Sequence, residues 1–431
     1  MRLSKTCVAL VASAASLALV AGCSGGESGD GTTELTLLLN DDQQDVDQAE
    51  ALVKAFESEH ADISIEVDTR PGGTEGDNLI KTRLSTGEMA DIFKYNSGSL
   101  MQALNPDQNL VDLSDQPWLD DLTDDYTSAV QTENGVYGYP WGTTYAGGIV
   151  YNTAIYDELG LDVPKSWDQF MANNEVIAEA GYDPVIQTYG TTWTSQLFVL
   201  GDFANVLAAD PQWAEEYTAG NRSYAEPPGL AGFKHLEAVA EAGYFNKDFS
   251  TATYDDGAKM LAEGTGVQYP VLTFVLDPIK ANYPDAVDDI GFMAIPANDP
   301  SLTSATIWQP DALYIPTTTE GAKRKAAIEF ITFMNSQEAC ELFNENSPPK
   351  GPYPNTCELP DDVAPLLKDI QGYLEAENSA PALEFLSPVK GPNLENIMIA
   401  VGSGIKSAKE GAEAYDKDVV AQAQQLGLDG W

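Results

Sequence analysis

Several aromatic side chains of this sequence lie in turn-rich stretches rather than in the periodic apolar runs that are typical of helices and strands. Each has glycine or polar neighbours, and the set is Tyr95, Trp141, Tyr145, Tyr189, Trp193, Tyr269 and Trp308. Asn96 and Asp311 accompany the first and the last of them. A sugar ring has an apolar face and a rim of hydroxyls, so it binds to an aromatic plane flanked by Asp, Asn or Gln. The sequence therefore predicts a sugar site in these loops, although any single aromatic residue could instead pack between lobes.

Sequence patterns for bond chemistry are weak in this chain. The glycine-rich turn at 72–76 lacks the Gly-Lys-Ser/Thr of a phosphate-binding loop, and the segment 402–404 is not a nucleophile elbow. His60 and His235 are the only histidines. We therefore expect a protein that is not an enzyme and that requires no metal or cofactor. Adjacent acids such as Asp120-Asp121 leave a surface glycoside-acting enzyme as an alternative, because such enzymes use a pair of carboxyl groups.

Acidic residues greatly outnumber basic ones. The chain has 67 Asp and Glu against 22 Lys and Arg, which gives a formal net charge of −45. Nucleic-acid binding and broad contact with anionic lipid both require clustered Lys and Arg, so this composition argues against both. The acids are spread along the whole chain, as expected of a solubilising surface. A cationic solute, such as a polyamine or an amino sugar, remains an alternative ligand.

The N-terminus has the order of an export signal. A short basic region precedes an apolar run at 8–21 that is too short for a stable membrane span, and Val-Ala-Gly-Cys23 closes it. Small residues before a cysteine are typical of lipoprotein signals, in which the thiol receives the lipid. We therefore expect a signal peptide at 1–22, lipid attachment at Cys23, a flexible tether at 23–33 and a protein held on the extracellular face of the cell membrane. The alternative is an ordinary cleaved signal with a chance cysteine.

Two cysteines remain beyond this signal, Cys340 and Cys357, and a turn-rich Pro-Pro-Lys-Gly-Pro segment lies between them. A cysteine pair in an exported chain is typically oxidised. Neither histidine is near them in sequence, which argues against a metal site. The sequence therefore predicts a disulfide between Cys340 and Cys357.

Strand-like and helix-like segments alternate along the chain. A β-prone run at 34–39 precedes a helix at 43–59 with one apolar face, and an alternating strand follows at 63–67. This order predicts an α/β fold in which helices cover a parallel or mixed sheet. Closely spaced glycines between 134 and 148 interrupt the alternation. We interpret this stretch as a crossing between two lobes.

Segments spread along the chain carry a family resemblance. Their order is Ser-Thr-Gly-Glu-Met-Ala-Asp-Ile at 85–92, Val-Tyr-Asn at 150–152, Ser-Trp-Asp at 166–168, Gly-Phe-Met-Ala-Ile-Pro at 291–296 and Ala-Ala-Ile-Glu-Phe-Ile-Thr-Phe at 326–333. Together with the lipoprotein signal, this set resembles the family 1 extracellular solute-binding proteins of ABC sugar importers, the group that includes maltose-binding protein.

The resemblance implies a two-lobe α/β fold of the type II periplasmic-binding-protein kind, with a hinge and a ligand cleft between the lobes. It implies that lobe 1 comprises 34–140 and 270–335, and that lobe 2 comprises 141–269 and 336–431. It further implies a monomer that closes on a sugar or short oligosaccharide and delivers it to the permease subunits of an ABC transporter.

Carried over by position, the resemblance also implies where the ligand-binding residues lie. Asn40, Asp41, Tyr95 and Asn96 would lie on the first lobe, Trp141 and Tyr145 near the hinge, Tyr189 and Trp193 on the second lobe, and Tyr269 and Trp308 at the later crossings. An adhesion or scaffold lipoprotein without a small ligand remains a further alternative.

Overall fold

The computed structural model describes residues 32–346, 349–360, 363–428 and 430–431. The predicted signal peptide, Cys23 and most of the predicted tether lie outside these residues. The strands are β1 (Thr33–Asn40), β2 (Ile63–Arg70), β3 (Ile92–Tyr95), β4 (Gly138–Pro140), β5 (Tyr145–Asn152), β6 (Asp183–Val185), β7 (Gly266–Leu272), β8 (Ile290–Met293), β9 (Ala305–Trp308), β10 (Ala312–Tyr314) and β11 (Ser379–Pro381).

The helices of the first half are α1 (Gln43–Glu59), α2 (Gly73–Thr86), α3 (Ser99–Gln102), α4 (Pro106–Asn109), α5 (Asp124–Ala129), α6 (Thr153–Leu159), α7 (Trp167–Ala180), α8 (Leu197–Leu200), α9 (Phe203–Ala209) and α10 (Trp213–Thr218). Those of the second half are α11 (Ala231–Ala242), α12 (Tyr254–Glu263), α13 (Leu276–Asn282), α14 (Gly321–Phe333), α15 (Gln337–Asn346), α16 (Pro365–Glu375), α17 (Leu394–Gly402) and α18 (Ala408–Leu426). Among the described residues, no helix combines the length and the apolar character that crossing a membrane requires.

The first lobe is built on a five-stranded mixed sheet with the order β2-β1-β3-β10-β4. β1 is parallel to β2 and β3, whereas β10 is antiparallel to β3 and β4. Because β1 is an inner strand, its leucines between positions 35 and 39 are buried on both faces, which accounts for the nearly continuous apolar run. Phe56 of α1 and Phe330 of α14, with ring centroids 5.2 Å apart, pack in the same core.

The second lobe is built on a sheet with the order β11-β9-β5-β7-β6, in which β8 also pairs with β5. Alternate residues of β5 enter two separate apolar clusters, so the sheet is covered on both faces. Ile149 and Tyr151 belong to the cluster that includes residues of α11, α17 and α18, whereas Ala146 and Val150 belong to the cluster that includes residues of α12, α13 and α16. The predicted two-lobe α/β fold is confirmed.

The sheet pairings differ from the predicted lobe boundaries at two places. β7, which contains 270–272, and β8 and β9 all hydrogen-bond within the second sheet, so 270–308 belongs to the second lobe and not to the first. α15 packs against α1, and its Phe343 lies in the first core, so 336–346 belongs to the first lobe. Strand pairing and apolar packing decide membership here, and sequence position alone does not reveal either.

Within the described ranges, three connections lead from one lobe to the other. Residues 141–144 join β4 to β5, residues 309–311 join β9 to β10, and the third crossing leads from α15 to α16. The first of them lies inside the glycine-rich stretch at 134–148, where the sequence predicts a crossing.

A disulfide links the third crossing to α15, and the third crossing runs beside the first. The predicted disulfide is present: Cys340 of α15 is bonded to Cys357, with their Cα atoms 5.6 Å apart. The Lys350 amide donates to Thr143 Oγ1 at 3.1 Å, and the Thr144 amide donates to the carbonyl of Pro352 at 2.9 Å. Two of the three crossings are therefore hydrogen-bonded to each other.

Replacing both Cys340 and Cys357 with alanine should lower the free energy of unfolding by about 3 kcal/mol, because the disulfide restricts the unfolded chain. Urea unfolding, with and without a thiol reductant, measures the change. The unsubstituted protein should lose the same amount when it is reduced, while the double alanine variant should not respond to reductant. Equal unfolding midpoints for the oxidised and reduced protein would contradict this expectation.

Candidate functional site

A cleft of about 690 Å³ lies between the two lobes. Its first-lobe wall is formed by the carboxyl end of β1, the first two turns of α1 and Lys94 of β3. Its second-lobe wall contains Trp193, the start of α12 and the start of α13. This volume is in the range of small-molecule sites, and open α/β sheets bind ligands beyond the carboxyl ends of their strands.

Four aromatic side chains form a continuous surface on the second-lobe side, which we call the aromatic wall: Tyr145, Trp193, Tyr254 and Phe274. The ring of Phe274 lies 5.5 Å from those of both Tyr145 and Trp193, measured between centroids. The rings of Trp193 and Tyr254 are 5.4 Å apart. Contacts between the rings limit their rotation, so the wall is a preformed apolar surface.

Local structure holds the aromatic wall in place. Tyr254 is the first residue of α12, whose N-terminus has a capping box in which Thr253 and Asp256 exchange side-chain and backbone hydrogen bonds. Tyr145 is the first residue of β5, and Trp308 of β9 lies behind it. The rings of Tyr145 and Trp308 are nearly parallel, at 9° and 6.5 Å between centroids. Trp308 therefore supports the wall from the interior.

The first-lobe side has a charged centre, which we call the lysine network: Lys94, Asp45 and Asp311. The side chain of Lys94 is only 8% exposed, and its Nζ forms salt bridges with Asp45 and, at 3.3 Å, with Asp311. The second carboxylate oxygen of Asp45 accepts a hydrogen bond from Trp141 Nε1 at 3.2 Å. One buried ammonium group thus fixes two carboxylates and, through Asp45, the indole of Trp141.

Burial alone would lower the pKa of Lys94, but the carboxylates of Asp45 and Asp311 outweigh it and hold the pKa above its ordinary value. A group with a raised pKa contributes its stabilisation at every pH below its ordinary pKa. The contribution is lost only as the pH rises through the value in the folded state. Lys94 is therefore charged across the physiological pH range.

Asp277 of α13 connects the second lobe to the first. Its carboxylate pairs with Lys350 of the third crossing at 2.8 Å. Burial raises the pKa of Asp277, and Lys350 lowers it in part. The side chain of Gln44 of α1, which lines the cleft from the first lobe, lowers the pKa of Asp277 as well.

Five of the sequence-predicted ligand residues line the cleft: Asn40, Trp141, Tyr145, Trp193 and Asp311. They come from β1, from the first two crossings, from the start of β5 and from the short 3-10 helix before α8. The topology thus brings together residues that are far apart in sequence.

Three predicted tyrosines are buried away from the cleft lining. Tyr95 ends β3 with its side chain wholly inside the first core. The hydroxyl of Tyr269, in the middle of β7, forms a hydrogen bond of 2.6 Å with Thr188 Oγ1. The ring of Tyr189 packs against Phe249 with centroids 5.4 Å apart. Two of the three lie in strands that are covered on both faces, so glycine or polar neighbours in sequence did not indicate exposure.

Asp41, Asn96 and Trp308 are also absent from the cleft lining. The exposed Asp41 extends the pairing of β1, with its amide donating to the carbonyl of Arg70 at 2.9 Å, and the next residue, Asp42, lines the cleft instead. The backbone carbonyl of Asn96 accepts a hydrogen bond from the Tyr314 hydroxyl at 3.0 Å. Trp308 lies behind Tyr145, as described above.

Sequence reasoning missed several lining residues, chiefly Gln44, Asp45, Gln48, Lys94, Tyr254, Phe274, Asp277 and Lys350. For one of them, the sequence does contain a signal that could have identified it. Lys94 lies within the apolar strand Ile-Phe-Lys-Tyr, and a lysine in a buried strand requires a carboxylate partner. The others are at helix starts and in a crossing, where periodicity carries no information about which side faces a cleft.

Comparison with known proteins identifies the family to which this chain belongs. The family model described as bacterial extracellular solute-binding protein matches residues 40–339, which is more than half of the chain. The chain belongs to this family. The resemblance predicted from the sequence segments is confirmed, and the family consists of binding proteins rather than enzymes.

Individual relatives of this solute-binding protein are distant in sequence and similar in structure. The multiple sugar-binding protein of Streptococcus mutans is 24% identical over 298 residues, which cover 68% of this chain and 69% of the relative. A chitin oligosaccharide binding protein superposes with a TM-score of 0.78 at 20% identity, over 92% of this chain and all of the other. RafE in complex with raffinose gives 0.74 at 20% identity, again over 92% of this chain and all of the other.

Replacing Lys94 with methionine should destabilise this solute-binding protein by about 2–3 kcal/mol, because it leaves two carboxylates without their cation. The value is below that of a fully buried pair, since the side chains of Asp45 and Asp311 are 21% and 22% exposed. Urea unfolding measures the loss. Lys325→Met, at an exposed lysine of the same lobe, is the matched control and should change little. A Lys94→Met variant as stable as that control would show that the network contributes nothing.

Proposed function

We propose that this solute-binding protein binds a sugar or short oligosaccharide reversibly in the cleft between its lobes and delivers it to the permease subunits of an ABC importer. The observation that carries the proposal is the pairing of two surfaces across one cleft. The aromatic wall offers apolar faces to sugar rings, and the lysine network and its neighbours offer hydrogen-bonding groups to hydroxyls.

Unpartnered amide groups on the first-lobe side support a hydroxyl-rich ligand. Gln48 of α1 lines the cleft and is 2% exposed, and neither its Oε1 nor its Nε2 has a hydrogen-bond partner within the described part of the chain. Asn40 Oδ1 is likewise buried without a hydrogen-bond partner among the described residues. A buried polar atom without a partner costs about 1–3 kcal/mol. Ligand hydroxyls, reached as the lobes open and close, would remove this cost.

The relatives support the same class of ligand. The streptococcal relative is named multiple sugar-binding protein, and the structural neighbours include a chitin oligosaccharide binding protein and a complex with raffinose. Because identities are 24% or lower, these names support a carbohydrate and not a particular sugar. On this proposal binding occurs without bond chemistry, so the protein has no catalytic role and needs no cofactor.

The site of action is proposed from the N-terminal sequence. Residues 1–22 have the pattern of a lipoprotein signal peptide, Cys23 is the proposed lipid attachment site, and the tether begins there. The protein would act as a monomer on the extracellular face of the cell membrane, close to the permease that receives its ligand.

A thermal-shift screen against mono- and oligosaccharides, polyamines and amino acids tests the proposed function. A sugar that binds only the folded protein should stabilise it by about 2.7 kcal/mol at a hundredfold excess over Kd. A response to polyamines or amino acids alone, or to no solute at all, would overturn the sugar assignment.

Trp193→Ala should weaken binding of the sugar found in this screen by roughly thirtyfold, because the variant loses a stacking surface worth about 2 kcal/mol. Calorimetric titration measures the Kd. Trp431→Ala is the control, since Trp431 packs against Tyr217 in the second lobe, outside the cleft lining. Equal affinity of the two variants would exclude Trp193 from the ligand site.

A further inference from the structure

The charges that line the cleft do not cancel. Five aspartates line it, namely Asp42, Asp45, Asp255, Asp277 and Asp311, together with the two lysines Lys94 and Lys350. Both lysines are already engaged: Lys94 with Asp45 and Asp311, and Lys350 with Asp277. The cleft therefore has an excess of three negative charges in a protein whose formal net charge is −45.

Two of the five carboxylates lack a cation of their own. Within the described ranges, neither Asp42 nor Asp255 takes part in a salt bridge. Asp42 precedes α1 on the first lobe, and Asp255 lies in the first turn of α12 on the second. Burial raises the pKa of Asp42, the carboxylate of Asp45 adds to the increase, and Lys94 offsets it only in part.

Both carboxylates act on the same part of the aromatic wall. Burial raises the pKa of Tyr254, and the carboxylates of Asp277, Asp255 and Asp42 raise it further. Asp255 follows Tyr254 in the first turn of α12, and Asp42 lines the same cleft from the first lobe, so carboxylates of both lobes border the cleft that contains this ring. The ring of Tyr254 contacts that of Trp193 and lies 6.0 Å from that of Phe274. Aromatic faces beside carboxylates favour a cation, because the ring quadrupole and the carboxylates attract it together.

We propose that the cleft selects its sugar by charge: it favours a sugar with a protonated amino group over the neutral sugar of the same skeleton, and it rejects the corresponding uronic acid. Asp42 and Asp255 are the residues that set this order. The inference rests on the proposed sugar-binding function and adds to it the class of sugar. It is independent of the unpartnered amides of Gln48 and Asn40, which serve hydroxyls of any of the three sugars.

Calorimetric titration of the purified protein with two matched series tests the selection. One series is galactosamine, galactose and galacturonate, and the other is the chitosan trisaccharide, cellotriose and triacetylchitotriose, in which acetylation removes the charge. The amine should bind most tightly and galacturonate least. The advantage of the amine over the neutral sugar should shrink as the salt concentration rises from about 10 mM to about 150 mM, because salt screens the attraction.

Charge-removing variants assign the effect to residues. Asp42→Asn and Asp255→Asn should each reduce the ratio of the amine affinity to the neutral-sugar affinity by about fivefold, because each removes one carboxylate charge from the cleft. Glu50→Gln on α1 and Glu179→Gln on α7 are matched controls, because both are exposed acids outside the cleft lining and should leave the ratio unaltered.

A neutral sugar that binds as tightly as its amine, or equal responses of cleft and control variants, overturns charge selection while sugar binding stands. Absence of binding by every compound of both series also overturns the inference. The broader thermal-shift screen then decides separately whether the proposed function survives.

Discussion

The buried ammonium group of Lys94 is the interaction on which the geometry of the cleft depends. A charge in a strand that is otherwise apolar is tolerated only with partners, and Lys94 has two, one from α1 and one from the second crossing. Asp45 in turn holds the indole of Trp141 in the first crossing. One strand, one helix and two crossings therefore meet at a single cation. This meeting point sets the relative positions of the first-lobe groups that face the cleft.

The opposite side of the cleft is held by different forces. The aromatic wall consists of rings that pack edge to face or at intermediate angles, backed by Trp308 from β9. Polar contacts are few there, and the connection to the first lobe passes through Asp277, with Lys350 and Gln44 as its partners. A polar half and an apolar half thus enclose the same space, and this division matches the two kinds of surface that a sugar ring presents.

The fold could be predicted from the sequence further than the site could. Alternating elements, the crossing at 134–148 and the disulfide all follow from local patterns, and the structure contains them. The lobe boundaries failed at 270–308 because strand pairing across the second sheet is a non-local property. Among the cleft-lining residues, aromatic side chains such as Trp193 had been selected because their sequence neighbours are polar. Tyr95 and Tyr269 have similar neighbours but lie in strands that are covered on both faces. The local sequence does not show whether other elements cover a strand.

The placement of β10 has a consequence for the order in which this protein can fold. β10 lies between β3 and β4, so the first sheet remains in two parts until residues 312–314 arrive, although its other four strands are complete by Pro140. The second sheet is continuous without β11, but it lacks this edge strand until Ser379–Pro381. Neither lobe can be completed from the first half of the chain, and the second lobe also needs α17 and α18, which come last in the sequence. Early segments consequently wait in an unfinished state, and the large number of acidic side chains keeps such a state in solution.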